Sequence, residues 1–136
     1  MDYKYSDITE KIIKACMTVY STPGSGFQEV IYQRALAIEF ELIGTIFQRE
    51  FCMPIYYREK QIGERRVDFL VEEIISVELK AISKLENVHL AQGMNYLEAY
   101  NLEVGMLINF GANSLEWKRL FNKKFKSFKS RENTSG

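Results

Sequence analysis

Two short apolar runs, Val67-Asp68-Phe69-Leu70-Val71 and Ile74-Ile75-Ser76-Val77-Glu78-Leu79, are separated only by Glu72-Glu73. Runs of this length around a two-residue polar break read as a β-hairpin. Both have the composition of core strands, yet both carry charge. Side chains alternate across a strand, so Glu78 and Lys80 share one face while Val77 and Leu79 take the other. An ionised carboxylate inside an apolar strand is costly unless something pairs with it. Asp68, Glu78 and Lys80, brought together on adjacent strands, have the makings of a site for a divalent cation.

The rest of the chain builds around this hairpin. Residues 7–20 read as a helix with an apolar stripe of Ile8, Ile12, Ala15, Cys16 and Val19, and Asp7 with Glu10 as a capping pair. A second helix is expected from the capping-box pattern Ser25/Gln28 to about Leu42. Apolar residues surround it almost fully, which predicts extensive burial. Glu29 lies in its first turn, where the helix dipole favours negative charge. Residues 46–57 read as a strand, with Pro54 indicating an edge or a bulge, and Arg58-Glu59-Lys60-Gln61 supplies a turn. Ser83 and Glu86 form another capping-box pattern, opening a helix to about Tyr100. Residues 104–110 have the continuous apolar character of a strand buried on both sides, and residues 115–121 form a last strand. The predicted class is α/β, in the order α-α-β-β-β-α-β-β, with a mixed sheet of about five strands flanked by helices. Residues 1–121 form one domain, and residues 122–136 a basic, flexible tail.

Composition narrows the function classes. A chain of 136 residues with 46% hydrophobic content can bury a sizeable core. No apolar run approaches the ~20 residues of a membrane span, and the first residues lack the pattern of a signal peptide. Cys16 and Cys52 lie in apolar surroundings and read as reduced, buried thiols of a cytoplasmic protein. With His89 as the single histidine, a zinc site has few ligands to draw on. Net charge is zero, but residues 118–136 carry seven basic residues against Glu132 alone, and the body is correspondingly acidic. A basic end beside a metal site suits phosphates; a solvated extension that aids solubility accounts for it equally. No helix-turn-helix spacing, zinc finger or basic recognition helix is present, so contact with nucleic acid would be mainly to its backbone.

Asp68 followed by Glu78-Leu79-Lys80 on the next strand resembles the signature of the PD-(D/E)XK nuclease superfamily, with Val67 in place of its proline. The order α-β-β-β-α-β resembles that superfamily's restriction-endonuclease-like core. Gln92-Gly93-Met94-Asn95-Tyr96 is similar to the Q-x-x-x-Y element of its RecB-like and lambda-exonuclease-like branches. Gly26-Phe27-Gln28-Glu29-Val30-Ile31-Tyr32 resembles the motif of the small GxxExxY family placed within it. Acid-x-Lys alone is common by chance; four elements in the right order are far more specific.

The resemblance implies a metal-dependent nuclease that hydrolyses DNA phosphodiesters by attack of a metal-bound water, with Mg²⁺ or Mn²⁺ as cofactor. Asp68, Glu78 and the Leu79 main-chain carbonyl would be metal ligands, with Glu29 in support. Lys80 would orient the water or stabilise transition-state charge, Gln92 would hold Lys80 or a phosphate oxygen, and Tyr96 and Arg66 would contact the substrate backbone. Each has a bland rival. Asp68 and Lys80 could form a cross-strand ion pair, Glu78 could face solvent, and Gln92 and Tyr96 could simply pack their helix. The alternative function is a catalytically silent nuclease-fold module that binds nucleic acid or a protein partner. A homo-oligomer or partner protein would supply the substrate grip that so small a domain lacks.

Overall fold

The computed structural model describes residues 4–127. Its elements are α1 (Ser6–Ser21), α2 (Glu29–Leu42), β1 (Phe47–Tyr57), β2 (Lys60–Val71), β3 (Ile75–Lys80), α3 (Asn87–Ala99), β4 (Val104–Asn109) and β5 (Glu116–Phe121). The order is the predicted one. The strands form one mixed sheet in sequential order, with β3 and β4 parallel and every other neighbouring pair antiparallel. The parallel pair requires a crossover, and α3 supplies it. Among the described residues no helix is long and apolar enough to cross a membrane.

Alternation decides what each face of the sheet meets. Phe69, Val71, Val77, Leu79, Met106 and Ile108 point to one face and form the main core with α1 and α2. Leu70, Ser76, Leu107 and Leu120 belong to the other face, which α3 covers through buried Tyr96 and Leu97. That helix approaches closely because its contact positions are small. A Cβ at Gly93 would stand 2.6 Å from Leu120 Cδ1, and one at Gly105 on β4 would stand 3.0 Å from Leu97 Cδ2 of the helix. All six residues of β4 are buried, as a strand covered on both faces requires.

Each hairpin turn holds two successive residues with positive φ: Arg58 and Glu59 (49° and 67°), which alone connect β1 to β2, and Glu72 and Glu73 (55° and 60°), which with Ile74 connect β2 to β3. This is the turn whose twist matches antiparallel strands, and it normally favours Asn and Gly. Pairing of the flanking strands imposes it here on residues that would not choose it.

Several local expectations are corrected. None of the three capping pairs operates. α1 begins at Ser6 behind Tyr5 with no side-chain cap, and α2 begins at Glu29, so Ser25 lies outside it. α3 begins at Asn87, where His89 Nδ1 accepts the Glu86 N–H at 2.9 Å. α2 is not buried all round, because only its Tyr32–Gln33–Leu36–Ala37–Phe40 side meets the sheet and α1. Cys16 is buried but Cys52 is exposed, since β1 is an edge strand whose far half runs beyond β3. Within the first residues after β5, Asn122 and Lys126 are bonded to the body. Asn122 is buried and donates to the Leu97 and Leu102 carbonyls, and Asn101 exchanges two hydrogen bonds with the Lys126 backbone. Residues 128–136, with Lys129 and Arg131, lie outside the described residues.

Asn109, which pairs with Lys80 across the parallel ladder, is fully buried. Its Nδ2 donates to the Ile82 carbonyl and to Glu116, and its Oδ1 accepts the N–H groups of Ile82 and Gly111. These bonds fix the chain immediately after Lys80. Asn109→Ala leaves buried backbone groups unpaired and is expected to cost about 3 kcal/mol in urea denaturation. Glu116 is held below the ordinary carboxylate range, first by Asn109 and then by the Leu85 N–H. Its stabilisation is present above its unfolded pKa and is lost as pH falls through the lower folded value. Glu116→Gln should therefore flatten the acid side of the stability profile.

Candidate functional site

β2 and β3 pair only through Phe69↔Val77, Leu70↔Ser76 and Val71↔Ile75. Beyond that point they part, and the predicted charged residues lie at the parting. The Leu79 N–H is accepted by Asp68 Oδ2 at 2.8 Å, so a side chain continues the ladder where the backbone does not. Asp68 Oδ1 accepts Gln33 Nε2 at 2.6 Å, and Gln33 Oε1 accepts Arg49 Nε at 3.0 Å. A chain of three side chains from α2, β1 and β2 thus sets the Asp68 carboxylate. Glu50, on the β1 position opposite Asp68, has φ 52°, an unfavourable backbone conformation for a glutamate. It lines one cleft with Glu29, Gln33, Arg66 and Asp68, and Arg66 pairs with it at 3.5 Å on the exposed surface.

Glu78 is held separately. Arg65 Nη2 donates to Glu78 Oε1 at 2.8 Å, and Arg65 Nη1 donates to the Gln92 carbonyl at 3.0 Å. The same guanidinium lies 5.3 Å from the centroid of the Tyr96 ring. Arg65 therefore ties β2 to β3 and α3 at once. The Gln92 side chain is exposed, whereas Tyr96 is buried with its hydroxyl unpartnered among the described residues. Burial, with Tyr100 and Glu78 nearby, pushes that hydroxyl up to about 12. Lys80 is half-buried, and its ammonium makes no ion pair among the described residues. It lines a second open cleft with Phe27, Gln28, Glu29 and His89.

Glu29 stands between the two clefts, and the G-x-x-E-x-x-Y run explains how it gets there. Gly26 adopts φ 105°, which a side chain would resist. Buried Tyr32 stacks on Phe110 with centroids 4.5 Å apart; its hydroxyl donates to the Gly24 carbonyl and accepts the Phe27 N–H. The loop is thereby tied down and α2 starts at Glu29. Burial raises the Glu29 pKa; Lys80 opposes that, and Asp68 and Glu78 add to it. Asp68, Glu78, Lys80 and Glu29 thus share one electrostatic neighbourhood.

The donor set is suited to a hard cation. It consists of carboxylate oxygens and the Leu79 carbonyl, the kind magnesium prefers, and one or two carboxylates suffice. Each partnered carboxylate oxygen keeps a second lone pair. Among the described residues no three His, Cys, Asp or Glu side chains converge as a ready cluster. Gln33 and Glu50 are not singled out as site residues by the sequence. A polar Gln33 among the apolar residues of α2, one turn after Glu29, was the available signal.

The model of the PD-(D/E)XK nuclease superfamily matches residues 6–120, and the chain belongs to that superfamily. The search of curated protein sequences gives no match. Among solved structures, the crystal structure of SSO0001 is similar in fold, with a TM-score of 0.55 and 13% identity. The similarity covers 88% of this chain and 60% of that one, so this chain corresponds to little more than half of that protein.

The raised Glu29 pKa has a stability consequence. A carboxyl whose folded pKa lies above its unfolded value favours folding when protonated and loses that contribution as pH rises through the folded pKa. In EDTA, Glu29→Gln should be more stable than the unmodified protein at neutral pH. The difference should vanish on acidification below the ordinary carboxylate range, as read by chemical denaturation across pH.

Proposed function

We propose that this chain is a Mg²⁺- or Mn²⁺-dependent nuclease of the GxxExxY group, hydrolysing DNA phosphodiesters at Asp68, Glu78, Lys80 and Glu29. The observation that carries this is Glu29 standing between a cleft it lines with Asp68 and a cleft it lines with Lys80, within a member of a nuclease superfamily. Asp68, Glu78 and the Leu79 carbonyl would hold the ion, with Glu29 beside them. Bound there, it would supply Lewis acidity towards a phosphate oxygen and towards water.

The chain's own residues do the positioning. Gln33 and the Leu79 N–H fix the plane of the Asp68 carboxylate, and Arg65 fixes Glu78. Lys80, with no carboxylate paired to it, presents its charge to the cleft; it orients the attacking water and stabilises negative charge developing on phosphorus-bound oxygens. Glu29, with its raised pKa, accepts a hydrogen bond from that water or a proton from it. Arg66 and the Gln92 side chain, both exposed, contact the DNA backbone. Tyr96, buried beneath Arg65, sets the guanidinium rather than touching DNA.

A second reading has support of its own. Both candidate ligands are already partnered, Asp68 by Gln33 and Glu78 by Arg65, as a module that binds without turnover would have them. Cleavage of single-stranded, linear duplex and supercoiled circular DNA with Mg²⁺, Mn²⁺ or EDTA separates the two. The nuclease is expected to cut only with metal, and Asp68→Ala and Lys80→Ala should each lower the rate by at least about a hundredfold. DNA binding without metal, unchanged in Asp68→Ala and with no cleavage in any condition, would establish the binding module instead.

A further inference from the structure

α2 carries an apolar stripe on the side away from the core. Tyr32, Leu36 and Phe40 face the sheet and are fully buried, whereas Ile31, Ile38 and Leu42 are 38%, 60% and 75% exposed. Spacings of seven and four place those three side chains along one line of the helix, opposite the buried side. Small Ala35 lies beside them, and Ile46, 67% exposed, follows just beyond the helix end. Leucine and isoleucine at such exposure, aligned rather than scattered, mark an interaction surface.

The charges beside the stripe specify what covers it. Arg34 and Glu41, also seven apart, run along one flank, and both are exposed. Neither makes an ion pair among the described residues. We propose that this face binds a second copy of the same chain, with the two α2 helices packed antiparallel about a two-fold axis near the middle of the helix. A two-fold interface must be self-complementary, each patch meeting itself reversed. Reversing α2 sets Arg34 opposite Glu41 of the second copy and Glu41 opposite its Arg34. Displaced from that register by two residues, about 3 Å along the helix, Ile31 meets Leu42 and Ile38 lies over the small Ala35, an offset that side chains of this length span.

The helix spans about 21 Å, and one helix face falls short of the roughly 800 Å² per partner of a standard interface. The association is therefore a weak one, dissociating in the micromolar range or above. The two Glu29 residues stand at opposite ends of the helix pair, so each copy keeps its own site open. This pairing does not rest on nuclease activity, and its test reads mass alone.

Sedimentation velocity from about 1 µM to about 1 mM protein should show the mass rising from 15.9 kDa towards twice that value. Ile38→Glu should remain a monomer throughout; the side chain is exposed, and circular dichroism checks that the fold is kept. Arg34→Glu and Glu41→Arg, each alone, should weaken association at least severalfold. The double variant Arg34→Glu/Glu41→Arg should recover most of it. Three results would each overturn the proposal: a wild-type protein monomeric across the range, a dimer unaffected by Ile38→Glu, or a double variant no better than the single ones.

Discussion

The Leu79 amide points towards a strand that is no longer there. β2 and β3 are apart beyond the Phe69–Val77 pair, and the N–H finds the Asp68 carboxylate instead of a backbone carbonyl. Much of the site follows from that substitution. An aspartate in an apolar strand is tolerated because its oxygens accept two N–H donors, one from β3 and one from Gln33. The parting that requires it also lies beside the cleft that Asp68 lines with Glu29.

Support for the site comes from bonds and close contacts at its margins. α3 sits close on β4 and β5 through Gly93 and Gly105, and so brings its Gln92 carbonyl within reach of Arg65. Asn109 knots the chain after Lys80 through four hydrogen bonds, and Tyr32 anchors the loop before Glu29. Each is a buried polar group whose bonds are satisfied by backbone, which makes the placement specific. The candidate catalytic side chains are thus carried on strands and a helix start. Their immediate neighbours restrict where they can move.

Sequence patterning made much of this legible. The hairpin around Glu72-Glu73, the alternation of Val77-Glu78-Leu79-Lys80 and the apolar β4 all depend on period-two burial, which neighbouring residues encode directly. The element order and the flanked mixed sheet followed from them. The G-x-x-E-x-x-Y run spans the loop that leads into α2, although what holds that loop, a hydroxyl tying Tyr32 to Gly24 and Phe27, is tertiary. Capping failed as a guide because local pairs such as Ser25/Gln28 compete with tertiary packing for where a helix begins. α2 misled for a related reason: an all-round apolar composition says that a helix has partners, not which of them lie within the same chain.

What the sequence by itself determined is the set of elements, their order, and the charged residues placed where only a partnered charge can be tolerated. Those properties depend on residues near one another in the chain. Only the tertiary structure decided which partner each charge takes. Gln33 comes to Asp68 from 35 residues away and Arg65 to Glu78 across the hairpin, while Arg66, the next residue, turns to Glu50. Those choices depend on how two strands twist apart and how closely a helix approaches them, and no local pattern contains that geometry.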